Sequence, residues 1–253
     1  MEELVERLEG KLALVTGAAR RDSIGREIAI CLAEEGADVA INDFKREDEA
    51  RELAREIEAL GRRAIVVMAD VTQVCECRRL IAEVVAGQGG LDILVNNAGY
   101  SHHQSLGEIS EADFDEMLDV NLKGPFFLAQ CAVPHLRARS VGRVINISSE
   151  QAYIGHPNLP HYSAAKAGMI SMTKSLALAL APAITVNCVA PGPTATGRFR
   201  AGPEYTDEVR AQIPLKRWGE PRDVGRSVVF LASKDGDAYT GQTLDPNCGT
   251  VMP

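Results

Sequence analysis

A tyrosine and a lysine stand four residues apart in Tyr162-Ser163-Ala164-Ala165-Lys166. On a helix that spacing puts a phenol and an ammonium on one face. A phenol with a reference pKa of about 10 is almost wholly protonated at neutrality. A fixed cation nearby stabilises the phenolate, lowers that pKa and makes the group a usable general acid or base. Taken alone, the pair reads as readily as two exposed side chains on a helix. Its surroundings narrow the reading. Thirteen residues before Tyr162, a β-branched run ends in Ser148-Ser149, where a hydroxyl at the C-terminal edge of a parallel strand faces a ligand crevice. Asn96-Asn97-Ala98-Gly99 closes the strand before that, and Asn121 lies within a long helical stretch.

A second constellation opens the chain. The first strand runs into Thr16-Gly17-Ala18-Ala19-Arg20-Arg21-Asp22-Ser23-Ile24-Gly25, and a helix follows. Gly17 and Gly25 allow a tight turn and close approach to a pyrophosphate, while Arg20, Ser23 and Ile24 lead into the helix N-terminus with its free N–H groups and positive dipole end. The second strand ends in Asn42-Asp43, where a carboxylate can accept hydrogen bonds from an adenosine ribose. The third ends in Ala69-Asp70-Val71, at the adenine side of the same edge. Each acid alone is also a common solvated strand end. A carboxylate about 4 Å from a 2′-phosphate opposes it by roughly 4 kcal/mol at an effective dielectric of about 20, so Asp43 favours NAD over NADP. Arg20, Arg21, Lys45 and Arg46 pull the other way and keep NADP open.

These residues need a sheet to hold them. Lys11–Thr16, Ala37–Asn42, Ala64–Met68, Leu91–Val95, Arg143–Ile147 and Ile184–Val189 read as short strands buried on both faces. Helices are expected at Ile24–Glu35 and Glu47–Leu60, each closed by a glycine, and from a capping box at Ser110-Glu111-Ala112-Asp113 toward Leu136. Two more run from about Tyr162 to Leu180 and from Pro221 to Ser233. Strand and helix in alternation imply a doubly wound α/β fold, a parallel sheet with helices on both faces. One domain is expected over residues 1–253, with the irregular Pro191–Pro214 stretch as a mobile cover.

Composition excludes several classes. The 253 residues carry 27 Lys plus Arg against 35 Asp plus Glu, a net charge of −8, and 45% are apolar. That is neither a disordered chain nor one with the basic footprint of a nucleic-acid binder. The N-terminus is acidic, without the basic and apolar regions of a signal peptide, and the longest nearly apolar run, Leu176 to Ile184, is too short to span a membrane. Six scattered cysteines without zinc-site spacing read as free thiols in a reducing cytoplasm, and no metal is expected. His102, His103, His156 and His161 read as solvated loop histidines or as a substrate border.

Together, Thr16-Gly17 with Gly25, Asp70, Asn96-Asn97-Ala98-Gly99, Asn121, Ser149, Tyr162 with Lys166, Asn187 and Pro191-Gly192 resemble the short-chain dehydrogenase/reductase family, in its single-domain branch, along nearly the whole chain. The resemblance implies a Rossmann-like fold, a nicotinamide cofactor and a small carbonyl or alcohol substrate. By it Tyr162 exchanges the proton on the substrate oxygen, Ser149 hydrogen-bonds that oxygen, Lys166 binds the nicotinamide ribose, and Asn121 holds a relay water. Asn97, Ala98 and Gly99 line the adenosine and ribose side; Pro191, Gly192, Thr194 and Thr196 hold the carboxamide. It also implies a homotetramer, or a dimer, built on the long central helices and the C-terminal end. The glycine loop departs from the family: it is about two residues longer and has Ser23 for the middle glycine, as in enoyl-ACP reductases. The Tyr162–Lys166 spacing is nevertheless that of ketone reductases. Ile213–Pro221 and Tyr239–Leu244 are similar to 3-oxoacyl-ACP reductases and to sugar and alcohol dehydrogenases, so a 3-oxoacyl-ACP reductase is one alternative and a non-catalytic nucleotide sensor another. An acyl-ACP reductase needs a basic patch for its acidic carrier; Arg198, Arg200, Lys216 and Arg217 could form one, but a net charge of −8 does not encourage it.

Overall fold

The computed structural model describes residues 6–140 and 142–253; the first five residues of the acidic N-terminal stretch lie outside them. Seven parallel strands form one sheet: β1 (Leu12–Val15), β2 (Asp38–Asp43), β3 (Ala64–Met68), β4 (Ile93–Asn96), β5 (Gly142–Ile147), β6 (Ile184–Val189) and β7 (Thr243–Leu244). Their spatial order is β3-β2-β1-β4-β5-β6-β7. The order reverses between β1 and β4, and a crevice opens beyond the strand ends at such a reversal.

Alternation along each strand divides the core between two faces. Ala13 and Val15 of β1 turn to one face, with Ile28 and Leu32 of α1 (Ile24–Glu34), Leu53 and Ile57 of α2 (Glu47–Ala59), and the buried side of the C-terminal helix Pro221–Ala232. Leu14 turns to the other, with Leu80 and Val84 of α3 (Val74–Gln88), the long helices between β4 and β5, and Leu180. The first strands and helices fall within one or two residues of their expected bounds.

The long helix expected from Ser110 is interrupted. The capping box forms, and α4 (Glu111–Leu118) follows it. A π-helical turn, Asp119–Lys123, then intervenes before α5 (Gly124–Arg137). Pro125 has no N–H to offer the Asn121 carbonyl four residues back, and Gly124 N donates to Asp119 five residues back. Single π turns of this kind re-aim a side chain; here it is Asn121.

The Pro191–Pro214 stretch is more ordered than its composition implies. After α6 (Gln151–Ile154) and α7 (Pro160–Leu180), it contains α8 (Gly197–Arg200) and α9 (Asp207–Gln212), ahead of α10 (Pro221–Ala232). Phe199, Tyr205 and Trp218 pack ring to ring at 5.1–5.8 Å and give this segment a small core of its own. The last strand stops at Leu244, and Asp245–Gly249 turns away from it, with Cys248 at φ +57.

Candidate active site

A groove of about 590 Å³ runs along the C-terminal edge of the strands. At its mouth Gly17 takes φ +62, and a Cβ there would stand 2.8 Å from the Ala98 Cα. Gly25 is tighter still, since a Cβ would reach 2.5 Å from the Gly17 carbonyl. Both glycines therefore let the loop lie against β4 and α1. Ser23 caps α1: its hydroxyl accepts from Arg26 N at 3.3 Å and donates to the Arg20 carbonyl at 2.6 Å. Arg20, Ile24, Val71 and Ala98 line the groove as expected.

The acids at the strand ends hold the walls. Asp43 accepts from Phe44 N at 2.8 Å and Lys45 N at 3.3 Å, and its other oxygen accepts from Ala19 N at 3.3 Å. Asp70 accepts from the Thr72 main chain and hydroxyl at 3.0 and 2.8 Å. Of the four basic side chains near Asp43, Arg21 and Arg46 are ion-paired with Glu52 and Glu49. Asn97 lines the groove, yet its amide donates to the carbonyls of Thr16 and Gly17 at 2.8 and 3.1 Å, tying β4 to β1. Asn96 and Asn187 belong to the scaffold: the first donates to Asn146 at 2.8 Å, the second to the Tyr239 carbonyl at 2.8 Å.

At the other end α7 presents Tyr162 and Lys166. The Lys166 ammonium is buried, donates to the Ile147 carbonyl at 2.8 Å, and lies 5.6 Å from the centre of the Tyr162 ring. Burial lowers its pKa from 10.5 to about 8. The phenol does not follow the sequence-based expectation. Burial raises the Tyr162 pKa, while the neighbouring Ser149 hydroxyl and the Arg198 charge pull it back down.

Asn121 is wholly buried at its π turn. Its amide donates to the carbonyls of Tyr100 and Met117 at 3.1 and 3.0 Å, which leaves Oδ1 buried without a partner among the described residues. A Cβ on Gly99 would collide with that oxygen and lie 3.5 Å from Lys166 Nζ, so glycine alone leaves room between them. The glycine cradle, the α1 N-terminus and this orphaned acceptor fit a dinucleotide with an ordered polar chain behind it.

Thr196 lines the groove; Pro191, Gly192 and Thr194 are not among its lining residues. Pro191 O accepts from Glu150 N at 3.0 Å and Gly192 O accepts the Thr194 hydroxyl at 2.9 Å, so their polar groups serve the turn itself. None of the four loop histidines lines the groove. His161 is buried rather than solvated and walls a separate hollow with Leu106, Ile109 and Phe114. The four basic residues have different surroundings: Arg198 lines the groove, Arg200 a separate charged cavity, Lys216 donates to the Ala211 carbonyl at 2.6 Å, and Arg217 pairs with Asp223 at 2.6 Å. Among the described residues, no group of three or more His, Cys, Asp or Glu is arranged to hold a metal ion.

Three features escaped sequence reasoning. Arg198, on α8, donates to the Ser101 carbonyl across the groove. The Asp22 carbonyl, in the lengthened loop at φ +49, accepts from Gly197 N at 3.0 Å and ties the cover to the loop. Tyr100 and Glu116 both line the groove, and burial and the Glu116 carboxylate hold the Tyr100 phenol up. The Arg-Arg-Asp insertion was the only local signal for any of them.

The Lys166 ammonium gives a testable pH dependence. Below pH 8 it is charged in both folded and unfolded chains, and the burial cost is present in full. As pH rises from about 8 toward 10.5 the folded protein loses its proton first, so stability increases by about 3 kcal/mol in all. The urea midpoints of wild type and Lys166→Met should therefore change relative to each other across this interval, with wild type gaining. A constant separation contradicts the burial account.

This fold, with Tyr162, Lys166 and Asn121 lining one dinucleotide-sized groove and Ser149 beside the phenol, defines the class of protein. The chain belongs to the short-chain dehydrogenase/reductase family of NAD(P)-dependent oxidoreductases. Residues 17–250 match the family model described as enoyl-(acyl carrier protein) reductase. The chain is 42% identical over 244 residues to 3-oxoacyl-(acyl-carrier-protein) reductase FabG of Staphylococcus aureus (strain Mu50), covering 96% of this chain and 98% of that protein. Among solved structures it is similar to a blue fluorescent protein from a metagenomic library in complex with NADPH (TM-score 0.91, 36% identity, 97% and 100% of the two chains). It is also similar to a short-chain dehydrogenase from Burkholderia cenocepacia J2315 in complex with NADP (TM-score 0.89, 38% identity, 96% and 98%).

Proposed function

We propose that the protein interconverts a secondary alcohol and a ketone, with Tyr162 exchanging the proton at the substrate oxygen. The observation that carries this reading is the placement of Tyr162 and the buried Lys166 at one end of the groove, with the Ser149 hydroxyl beside the phenol. The bound nicotinamide supplies or accepts the hydride. Ser149 holds the substrate oxygen, Lys166 holds the nicotinamide ribose, and Asn121 Oδ1 receives a water that continues the proton path behind Lys166. Gly17, Ser23, Gly25, Asp43, Asp70 and Asn97 hold the remainder of the dinucleotide, with Thr196 on the carboxamide side. The four-residue Tyr–Lys spacing supports carbonyl rather than enoyl reduction.

Reduction of a 3-oxoacyl thioester on an acyl carrier is the second reading, favoured by the 42% identity to the S. aureus enzyme. The separation of Arg198, Arg200 and Arg217 onto different surroundings favours a small free substrate instead. We place the protein in the cytoplasm, in keeping with six unpaired cysteines, and as a homotetramer. Exposed Phe126 beside Leu122 and Met172 on the central helices supports that assembly.

The test is loss of absorbance of NADH or NADPH with small ketones and with 3-oxoacyl thioesters. Turnover of ketones with a preference for NADH is the expected result. Cofactor binding without turnover of any carbonyl compound refutes the reading. Asp43→Asn should shift the ratio of NADPH to NADH efficiency upward by at least about tenfold, since it removes a charge worth up to roughly 4 kcal/mol against a 2′-phosphate. An unchanged ratio removes Asp43 from cofactor choice.

A further inference from the structure

Glu150 directly follows Ser149 and is a buried carboxylate, 6% exposed, with no part in the roles assigned above. A buried acid needs partners, and this one gathers three chain segments. Its main-chain N–H, just past the end of β5, donates to the Pro191 carbonyl at 3.0 Å. Its Oε2 accepts the Thr250 hydroxyl of the C-terminal segment. Gly192 is pressed against the same oxygen: a Cβ there would stand 2.9 Å from Glu150 Oε2 and 2.7 Å from the Asn247 Cβ. Within the C-terminal turn, Asn247 donates to the Val251 carbonyl at 2.7 Å and accepts from Gly249 N at 2.9 Å.

No cation pairs with Glu150 among the described residues. Burial raises its carboxyl above the ordinary range, and the Thr250 hydroxyl pulls it back. Its charge reaches the phenol: Glu150 pushes Tyr162 up, against Ser149 from the end of β5 and Arg198 from α8. Lys166, on the phenol's own helix, lies over the ring.

We propose that Glu150 is a positioning residue for Ser149 and Tyr162: a buried carboxylate that clamps the C-terminal segment and the turn after β6 onto the end of β5. The inference rests on the roles given to Ser149 and Tyr162 above. Glutamine at 150 keeps the shape and an acceptor for Thr250 but removes the charge. Valine at 250 removes the hydroxyl and leaves the charge.

The experiment is an ultraviolet titration of phenolate in wild type, Glu150→Gln, Thr250→Val and Tyr162→Phe. The Tyr162 signal is obtained as the difference from the last, and thermal melts check folding. In Glu150→Gln the Tyr162 midpoint should fall by about 0.5–1 pH unit, the scale of one removed like charge. The pH limb of alcohol oxidation should move with it. Thr250→Val should leave the charge's effect on that limb in place and lower kcat by about three- to tenfold, as a loosened geometry does. A Glu150→Gln titration superimposable on wild type overturns the electrostatic role. Wild-type kcat in a folded Thr250→Val overturns the clamp. Should Glu150→Gln fail to fold, Thr250→Val still decides the clamp, and Glu150→Asp, which keeps the charge on a shorter arm, should leave the midpoint within about 0.3 unit of wild type; a larger fall refutes the electrostatic role. Substantial turnover in Tyr162→Phe overturns the reading beneath the inference rather than the inference itself.

Discussion

Tyr162→Phe is expected to bind dinucleotide as wild type does and to turn over about 10²–10⁴-fold more slowly, the range that general acid–base catalysis supplies. The ring stays, so the packing of α7 and the position of Lys166 stay with it. What is lost is one hydroxyl beside Ser149. Its deletion costs at most about 1 kcal/mol of stability, the scale of one hydrogen bond. Cofactor titration by quenching or enhanced nicotinamide fluorescence, run beside steady-state kinetics, separates the two effects. A variant that keeps more than about a tenth of the wild-type rate contradicts the assigned role, because no other described hydroxyl is placed to replace the phenol with that efficiency.

The second large effect concerns Gly25. In Gly25→Ala the new Cβ meets the Gly17 carbonyl at 2.5 Å and the Ala18 Cα at 3.1 Å, and collides with the Asn97 amide. Two of these obstacles are main chain and cannot swing aside. Overpacking of this kind costs about 1–3 kcal/mol, and relief requires Asn97 to leave the carbonyls of Thr16 and Gly17. The loop then loses the geometry that presents the start of α1 to the dinucleotide. Cofactor affinity should fall at least about 100-fold, equivalent to roughly 2.7 kcal/mol. Gly107→Ala is the control: nothing lies within 4 Å of its added Cβ, and a change within about 0.5 kcal/mol is expected there. Isothermal titration with NAD and NADP measures both variants. Near-normal affinity in Gly25→Ala would show that the loop tolerates a shift of α1.

The strands, the glycine turn and the Tyr162–Lys166 pair were legible because each is a local pattern. Six β-branched runs and the helices that start at Ile24 and Glu47 follow from periodicity. The helix Val74–Gln88 was not picked out, since Cys75, Glu76, Cys77, Arg78 and Arg79 blur its apolar stripe; Gly89 at its left-handed C-cap was the available signal. The π turn at Asn121 was hidden for a different reason. The apolar pattern runs through it, and only Gly124-Pro125 marks the place where the α-helical bonding fails. The phenol's raised pKa and the contacts of Asp22, Glu150 and Arg198 depend on segments brought together by folding, which no local spacing encodes.

Asn97 belongs to both categories: its motif is visible, its work is not. With its side chain bonded to Thr16 and Gly17 and its own N–H held by the Thr16 hydroxyl at 3.1 Å, it rivets the two lips of the crevice together. A mouth fastened this way cannot gape or relax between visits. The ordering entropy of that rim is settled when the chain folds, so an arriving molecule meets a rigid socket and keeps more of its contact energy as affinity.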